Sequence, residues 1–313
     1  MKKRVLVFGS YVTDLCGRTN RLPEAGETVK GNYFKHGPGG KGSNQAVAAH
    51  RAGADVTFIT KLGNDSFGKE ALEFYRSENM STDHIVIDNE RSTGAALIIV
   101  NEETAQNQIV VIGGACENFG DEDMPAILKE LELSDIVLLQ LETNIESVKT
   151  LLSFTKTHNV YTVLNPAPAQ QLDEEYLRCV DVITPNETEA QHLTGVQVTD
   201  IDSARLAAKE LLGKGIGKVV ITMGESGVYA TDGESEKLLG IVTCGEIVDT
   251  TGAGDAFSGG MVAALAYGYG FFDAVKYGNV VAGISVTRYG TAPAMPYKEE
   301  IENVLTRIST EGM

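Results

Sequence analysis

Six apolar runs alternating with helix-period segments constrain this chain more than anything else in it. RVLVFG, DVTFITKLG, DIVLLQLE, VYTVLNPAP, DVITPNE and KVVITMG are interleaved with stretches such as SNQAVAAHRAG, SVKTLLSFTKTH and SARLAAKELLGKG. That rhythm predicts βαβ units and a mainly parallel sheet covered by helices on both faces, a three-layer α/β/α fold. From about Ala256 the chain turns helical, through AFSGGMVAALAYGYG and FFDAVKYGNVVAGISVTRYG, which predicts a final helical layer. Two segments break the rhythm. Residues 15–37 read as extended and turn-rich, and 93–113 read as a hairpin around a polar turn. Together they predict a small β appendage made of two insertions, a lid over the carboxyl edge of the sheet or an edge for a partner subunit. No repeat or linker divides the chain, so 1–313 reads as one domain.

A formal charge of −17 argues against a nucleic-acid footprint, which needs a basic face, and against binding to an anionic membrane surface. No apolar run approaches the roughly 18 residues of a membrane span, and MKKR-VLVFGSYV ends at Asp14 without a cleavage site. Cys16, Cys116, Cys179 and Cys244 form no CxxC pair, and the histidines show no ligand spacing. These features predict a cytoplasmic protein without a structural metal.

The chemistry concentrates in glycine-rich turns. VDTTGAGDAFSGG places Asp255 behind Gly252, Ala253 and Gly254, where backbone N–H groups and a helix dipole favour an anion. Asp255 either fills that place itself or takes a proton beside another anion. HGPGGKGSN puts Gly40, Lys41 and Asn44 at the mouth of a helix. It is no Walker A loop, because Gly42 follows the lysine. Its alternative is a turn capped by Ser43 or Asn44. Glu142 ends a strand, where open sheets bind ligands, or else begins the next helix. Asn186 and Glu189 suit a helix cap, or a place near phosphate and hydrated Mg²⁺. Asp14 can accept two sugar hydroxyls, and TMGESG is either a ligand-approaching turn or a plain one.

In this order, GGKGSNQAVAA, PNETEAQHLTG and DTTGAGDAFSGG resemble the ribokinase-like (phosphofructokinase-B type) family of carbohydrate kinases, over essentially the whole chain. The resemblance implies transfer of the γ-phosphoryl group of ATP to the 5-hydroxyl of D-ribose, in ribose catabolism, with a 2-deoxyribose, other pentose or nucleoside kinase as the alternative. It implies Asp255 as catalytic base and Gly252, Ala253 and Gly254 as anion hole. Asp14, Gly40, Lys41, Asn44 and Glu142 would hold the sugar, while Asn186, Thr222, Gly224, Gly227, Gly254 and Asn279 would meet ATP. Glu189 would order Mg²⁺ through water. A monovalent cation, K⁺, would lie at Asp249, Thr251, Ser285, Arg288, Gly290 and Ala294. The two insertions would be the family's lid and homodimer clasp. Val12 stands where many of these kinases carry a hydroxyl-reading Asn, which lowers the penalty for a sugar lacking its 2-hydroxyl.

Overall fold

A computed structural model describes residues 2–104 and 106–311. Met1, Ala105 in the expected hairpin turn, and residues 312–313 lie outside the described residues. The first strand, β1 (Arg4–Phe8), leads through a short turn into β2 (Val12–Thr19), β3 (Tyr33–Gly39) and helix α1 (Lys41–Arg51). Next come β4 (Asp55–Ile59), β5 (Lys61–Gly63), α2 (Ser66–Ser77), β6 (Val86–Asp88), β7 (Gly94–Asn101) and β8 (Asn107–Ile112). The middle of the chain runs α3 (Met124–Glu132), β9 (Ile136–Leu139), α4 (Ile145–His158), β10 (Tyr161–Leu164), α5 (Glu174–Leu177) and β11 (Val182–Ile183). It continues through α6 (Glu187–Thr194), α7 (Ile201–Gly213), β12 (Lys218–Thr222), β13 (Val228–Thr231) and β14 (Glu236–Leu239). The last helices are α8 (Ala253–Ala266), α9 (Phe271–Ser285) and α10 (Lys298–Glu311).

Eight strands form the main sheet in the order β14-β13-β12-β11-β10-β9-β1-β4. Pairing is parallel from β4 to β12, and the β13–β14 edge is antiparallel. Strands buried on both faces need continuous apolar runs, which RVLVF and IVLL supply. One face carries Val5, Val7, Leu138, Val163 and Val220 into a core with α1, α8 and α9. The other carries Leu6, Phe8, Leu139, Ile183 and Ile221 against α3, α4, α6 and α7. The chain leaves β1 for β4 on one side and returns to β9 on the other. The crevice above the carboxyl ends of β1 and β9 is therefore the switch point where open α/β sheets bind ligands.

A second sheet, ordered β3-β2-β7-β8, stands apart from the first. Its strand β2 begins at Val12, three residues ahead of the expected segment, so Asp14 belongs to this sheet and not to a loop after β1. DVTFITKLG, expected as one strand, breaks at Thr60. Its second half, β5, pairs with β6 in a small sheet of its own. Only Val182 and Ile183 of DVITPNE form strand. Among the described residues no helix is long and apolar enough to cross a membrane.

Candidate active site

The site is assembled where α1 and α8 cross. A Cβ on Gly259 of α8 would stand 2.5 Å from the Gln45 carbonyl oxygen and 2.6 Å from the Ala48 methyl of α1. Only glycine lets the two helices approach this closely. That approach brings the start of α8 over the start of α1. Asn44 Nδ2 donates to Asp255 Oδ2 at 2.9 Å, and Gln45 Nε2 donates to Asp255 Oδ1 at 2.8 Å. Asp255 is buried, and its two oxygens are held by α1 amides rather than by the N–H groups of its own turn.

Two of those N–H groups are unengaged among the described residues. Gly252 holds φ at 79°, a left-handed backbone suited to glycine, and serves as N-cap of α8. The Ala253 N–H reaches Thr250 O at 3.2 Å, while among the described residues the Gly252 and Gly254 N–H groups meet no acceptor. Nothing stands within 4 Å of where a Gly254 Cβ would be. A helix N-terminus with open donors and open space suits an anion.

Helix α1 is capped by Gly40 at φ 88°, with no side-chain cap, so the alternative in which Ser43 or Asn44 caps the helix does not hold. Asn44 Oδ1 is buried and has no partner. Glu142 does not start a helix either, because Asn144 caps α4. Glu142 Oε2 instead accepts from Ser10 Oγ at 2.5 Å and from the Lys41 N–H at 2.9 Å, tying β1, α1 and β9 together at the switch point. Asp14 lies against the glycine turn so closely that a Cβ on Gly39 would fall 2.3 Å from its Oδ1. Thr291 Oγ1 has two acceptors within reach, Asp14 Oδ2 at 3.2 Å and Pro38 O at 3.1 Å.

Charge is unevenly matched here. Burial pushes the Asp14 carboxyl up to about 6; the Thr291 hydroxyl opposes this, while Glu142, Asp255 and Asp249 add to it. Burial also raises the Glu189 carboxyl, against the Asn186 N–H and Lys41. For Lys41, burial disfavours the ammonium, but Asp255, Glu142 and Glu189 outweigh it and hold its pKa above the ordinary lysine value. One cation thus faces several carboxylates, an arrangement suited to polar and phosphorylated ligands.

The ends of β11 to β14 bring the remaining expected residues together. Asn186 and Glu189 form a reciprocal capping box on α6, Asn186 Oδ1 accepting from the Glu189 N–H and Glu189 Oε2 from the Asn186 N–H. Thr222 bridges to Asn186 across the ends of β11 and β12. Gly224 and Gly227 shape the β12–β13 turn, and Asn279 Nδ2 donates to Gly240 O at 2.8 Å. Asp249 accepts from the Thr251 N–H at 3.0 Å and the Gly290 N–H at 3.1 Å, binding two loops together. Asp14, Asp249, Thr251, Gly290 and Thr291 line a cavity of about 680 Å³ beneath the second sheet.

A sequence profile described as pfkB family carbohydrate kinase matches residues 2–298. The chain belongs to the pfkB family of carbohydrate kinases. This kinase is therefore a phosphotransferase acting on a sugar. It is 40% identical over 301 residues to ribokinase of Haemophilus influenzae, covering 96% of this chain and 97% of that one. Deoxyribokinase of Salmonella typhi is 36% identical over 303 residues, covering 96% and 98%. Ribokinase of Arabidopsis thaliana, solved with ribose and ATP, aligns with a TM-score of 0.89 at 27% identity, covering 97% of this chain and 99% of that one. Ribokinase of Thermotoga maritima aligns with a TM-score of 0.88 at 31% identity, covering 98% and 100%.

Among the described residues no three His, Cys, Asp or Glu side chains gather as a metal cluster. The 249–251 and 285–294 loops, where the monovalent cation was expected, contain one acidic side chain, Asp249, whose two oxygens accept the Thr251 and Gly290 N–H groups. Glu189 keeps Oε1 free of the capping box, consistent with a hydrated Mg²⁺ held through water. Ser10, Gln45, Gln140, Asn165 and Thr291 were not expected at the site. Gln45 directly follows Asn44 in GGKGSNQ, a signal in plain view, whereas nothing local marks Thr291.

Proposed function

We propose that this kinase transfers the γ-phosphoryl group of ATP to the 5-hydroxyl of D-ribose, giving D-ribose 5-phosphate, with Asp255 as catalytic base. The observation that carries the reading is Asp255 itself, a buried carboxylate gripped by two amide donors one turn from the open N–H groups of Gly252 and Gly254. A carboxylate whose oxygens accept only neutral donors keeps lone pairs for a substrate hydroxyl. Phosphoryl transfer relies on positioning and on donors aimed at the moving charge. Gly252, Ala253 and Gly254 supply such donors, while Asp255 takes the proton.

Asp14, Gly40, Lys41, Asn44 and Glu142 hold the sugar, Asn44 accepting a hydroxyl on its unpaired Oδ1. Asn186, Thr222, Gly224, Gly227, Gly254 and Asn279 border ATP. Mg²⁺, placed through Glu189 and water, neutralises phosphate charge. K⁺ at Asp249, Thr251, Ser285, Arg288, Gly290 and Ala294 steadies the loop before α8. The second sheet acts as lid of a single-domain enzyme. The side of that sheet away from the cavity exposes Phe34, Leu97, Val110 and Ile112, which supports a homodimer clasped lid to lid. Four free cysteines and dependence on ATP support a cytoplasmic setting.

One observation favours 2-deoxyribose as a second reading. Val12, buried at the start of β2 and paired with Gly39, offers no side-chain hydrogen bond beside Asp14. Phosphorylation of D-ribose and 2-deoxy-D-ribose is measured side by side, with and without K⁺. A strong ribose preference supports the proposal; equal or faster turnover of 2-deoxyribose replaces it with the second reading, and turnover of neither overturns both.

A further inference from the structure

Beneath Asp255 lies a row of buried amides whose polarity can be worked out from its ends. Asn165 Nδ2 donates to the Thr184 carbonyl at 2.9 Å, so Asn165 Oδ1 must be an acceptor. The carboxylate of Asp255 is an acceptor as well. Gln45, fully buried, sits between them and donates from one Nε2 to Asn165 Oδ1 at 3.0 Å and to Asp255 Oδ1 at 2.8 Å. Both of its amide hydrogens are therefore used. Its Oε1 accepts from Gln140 Nε2 at 2.6 Å, and Gln140 is itself fully buried. Flipping the Gln45 amide would set its oxygen against two other oxygens. The side chain has one permitted orientation, fixed from the sheet.

We infer that Gln45 is a positioning residue for phosphoryl transfer, holding the Asp255 carboxylate in one rotamer toward the reacting hydroxyl. The inference rests on the reading of Asp255 as base and extends it. A carboxylate that loses one of its two amide donors is free to turn away from the hydroxyl it must meet. The other charged groups coupled to Asp255 are Lys41 on α1, Asp14 on β2 and Glu189 on α6. None of them is altered by substituting Gln45.

The test is Gln45→Met, which keeps length and loses the donor. Steady-state kcat and KM are measured for ribose and for ATP. We expect kcat to fall about 10²-fold, as for a misplaced reacting group, while both KM values stay within about threefold. A variant with unchanged kcat, or one in which kcat falls and KM rises together as in a general distortion, overturns the inference. Where Gln45→Met does not fold, Gln140→Met, which removes the donor to Gln45 Oε1 and so loosens that side chain, is expected to lower kcat by a smaller factor with both KM values unchanged, and an unchanged kcat overturns it. Asp255→Asn is run in parallel. Full activity there removes the base itself, whereas an inactive Asp255→Asn beside a normal Gln45→Met removes only the positioning role.

Discussion

Asn44 gives its amide hydrogen to Asp255 at 2.9 Å while its own Oδ1 lies buried and unpaired, so one side chain both holds the carboxylate and leaves an acceptor open beside it. The α1–α8 contact at Gly259 produces this pairing of residues more than two hundred positions apart. An unpaired buried acceptor costs stability until a ligand hydroxyl reaches it.

Asp255→Asn should lower kcat by about 10²–10⁴-fold, the usual contribution of a positioned base. Its melting temperature should stay near that of the parent, because the Asn44 amide can turn its unpaired Oδ1 toward the new NH2 while the new carbonyl still accepts from Gln45. Steady-state kinetics with thermal melting checks both.

Asp14 carries the clearest pH dependence. Its folded carboxyl is raised to about 6 by burial. A raised carboxyl binds its proton more tightly folded than unfolded, so its contribution is stabilising at low pH and is lost as pH rises through about 6. Asp14→Asn should therefore melt higher than the parent at pH 8, by roughly 2–4 °C, with the gap narrowing below pH 6 and closing near the unfolded carboxyl value of 3.8, while ribose turnover is lost. A lower melting temperature at pH 8 would contradict the assignment of burial as the cause.

Gly254→Ala separates the anion hole from folding. Nothing blocks the added methyl, and alanine in a helix gains up to about 1 kcal/mol over glycine. The variant should fold as well as the parent or better, yet lose about tenfold or more in kcat as the methyl fills the space before the N–H groups. Unaltered kcat would place the transferring group elsewhere.

Gly39→Ala addresses the sugar side alone. Its methyl would meet the Asp14 carboxylate at 2.3–2.4 Å, so either the side chain or the turn must move. Ribose KM should rise about tenfold or more, with ATP affinity, read by calorimetry, unchanged. Equal losses for both ligands would point to a general distortion.

Periodicity alone carried the layered architecture, because parallel strands buried on both faces must be apolar throughout, and RVLVF, IVLL and KVVIT are nearly so. The glycine turns were equally legible, since positions such as Gly40 and Gly252 need a left-handed backbone that sequence records directly. Boundaries were less so. Asp14 looked like the end of the first apolar run, outside the inserted sheet, because the strand partners of Val12–Asp14 lie far along the chain, at Gly37–Gly39 and Gly94–Ala96. The same holds within the site. Glu142 was evenly balanced between helix start and ligand edge until the Lys41 N–H and Ser10 hydroxyl met it, and the cap that Asn44 offered as an alternative fell away once α8 met it. Thr291, Gln140 and Asn165 had no local pattern, because a hydrogen bond between distant residues leaves no periodicity behind. Local backbone chemistry was thus determined by the sequence itself, while the partner of each buried polar group was decided only by packing, which alone sets which distant groups share a space without water.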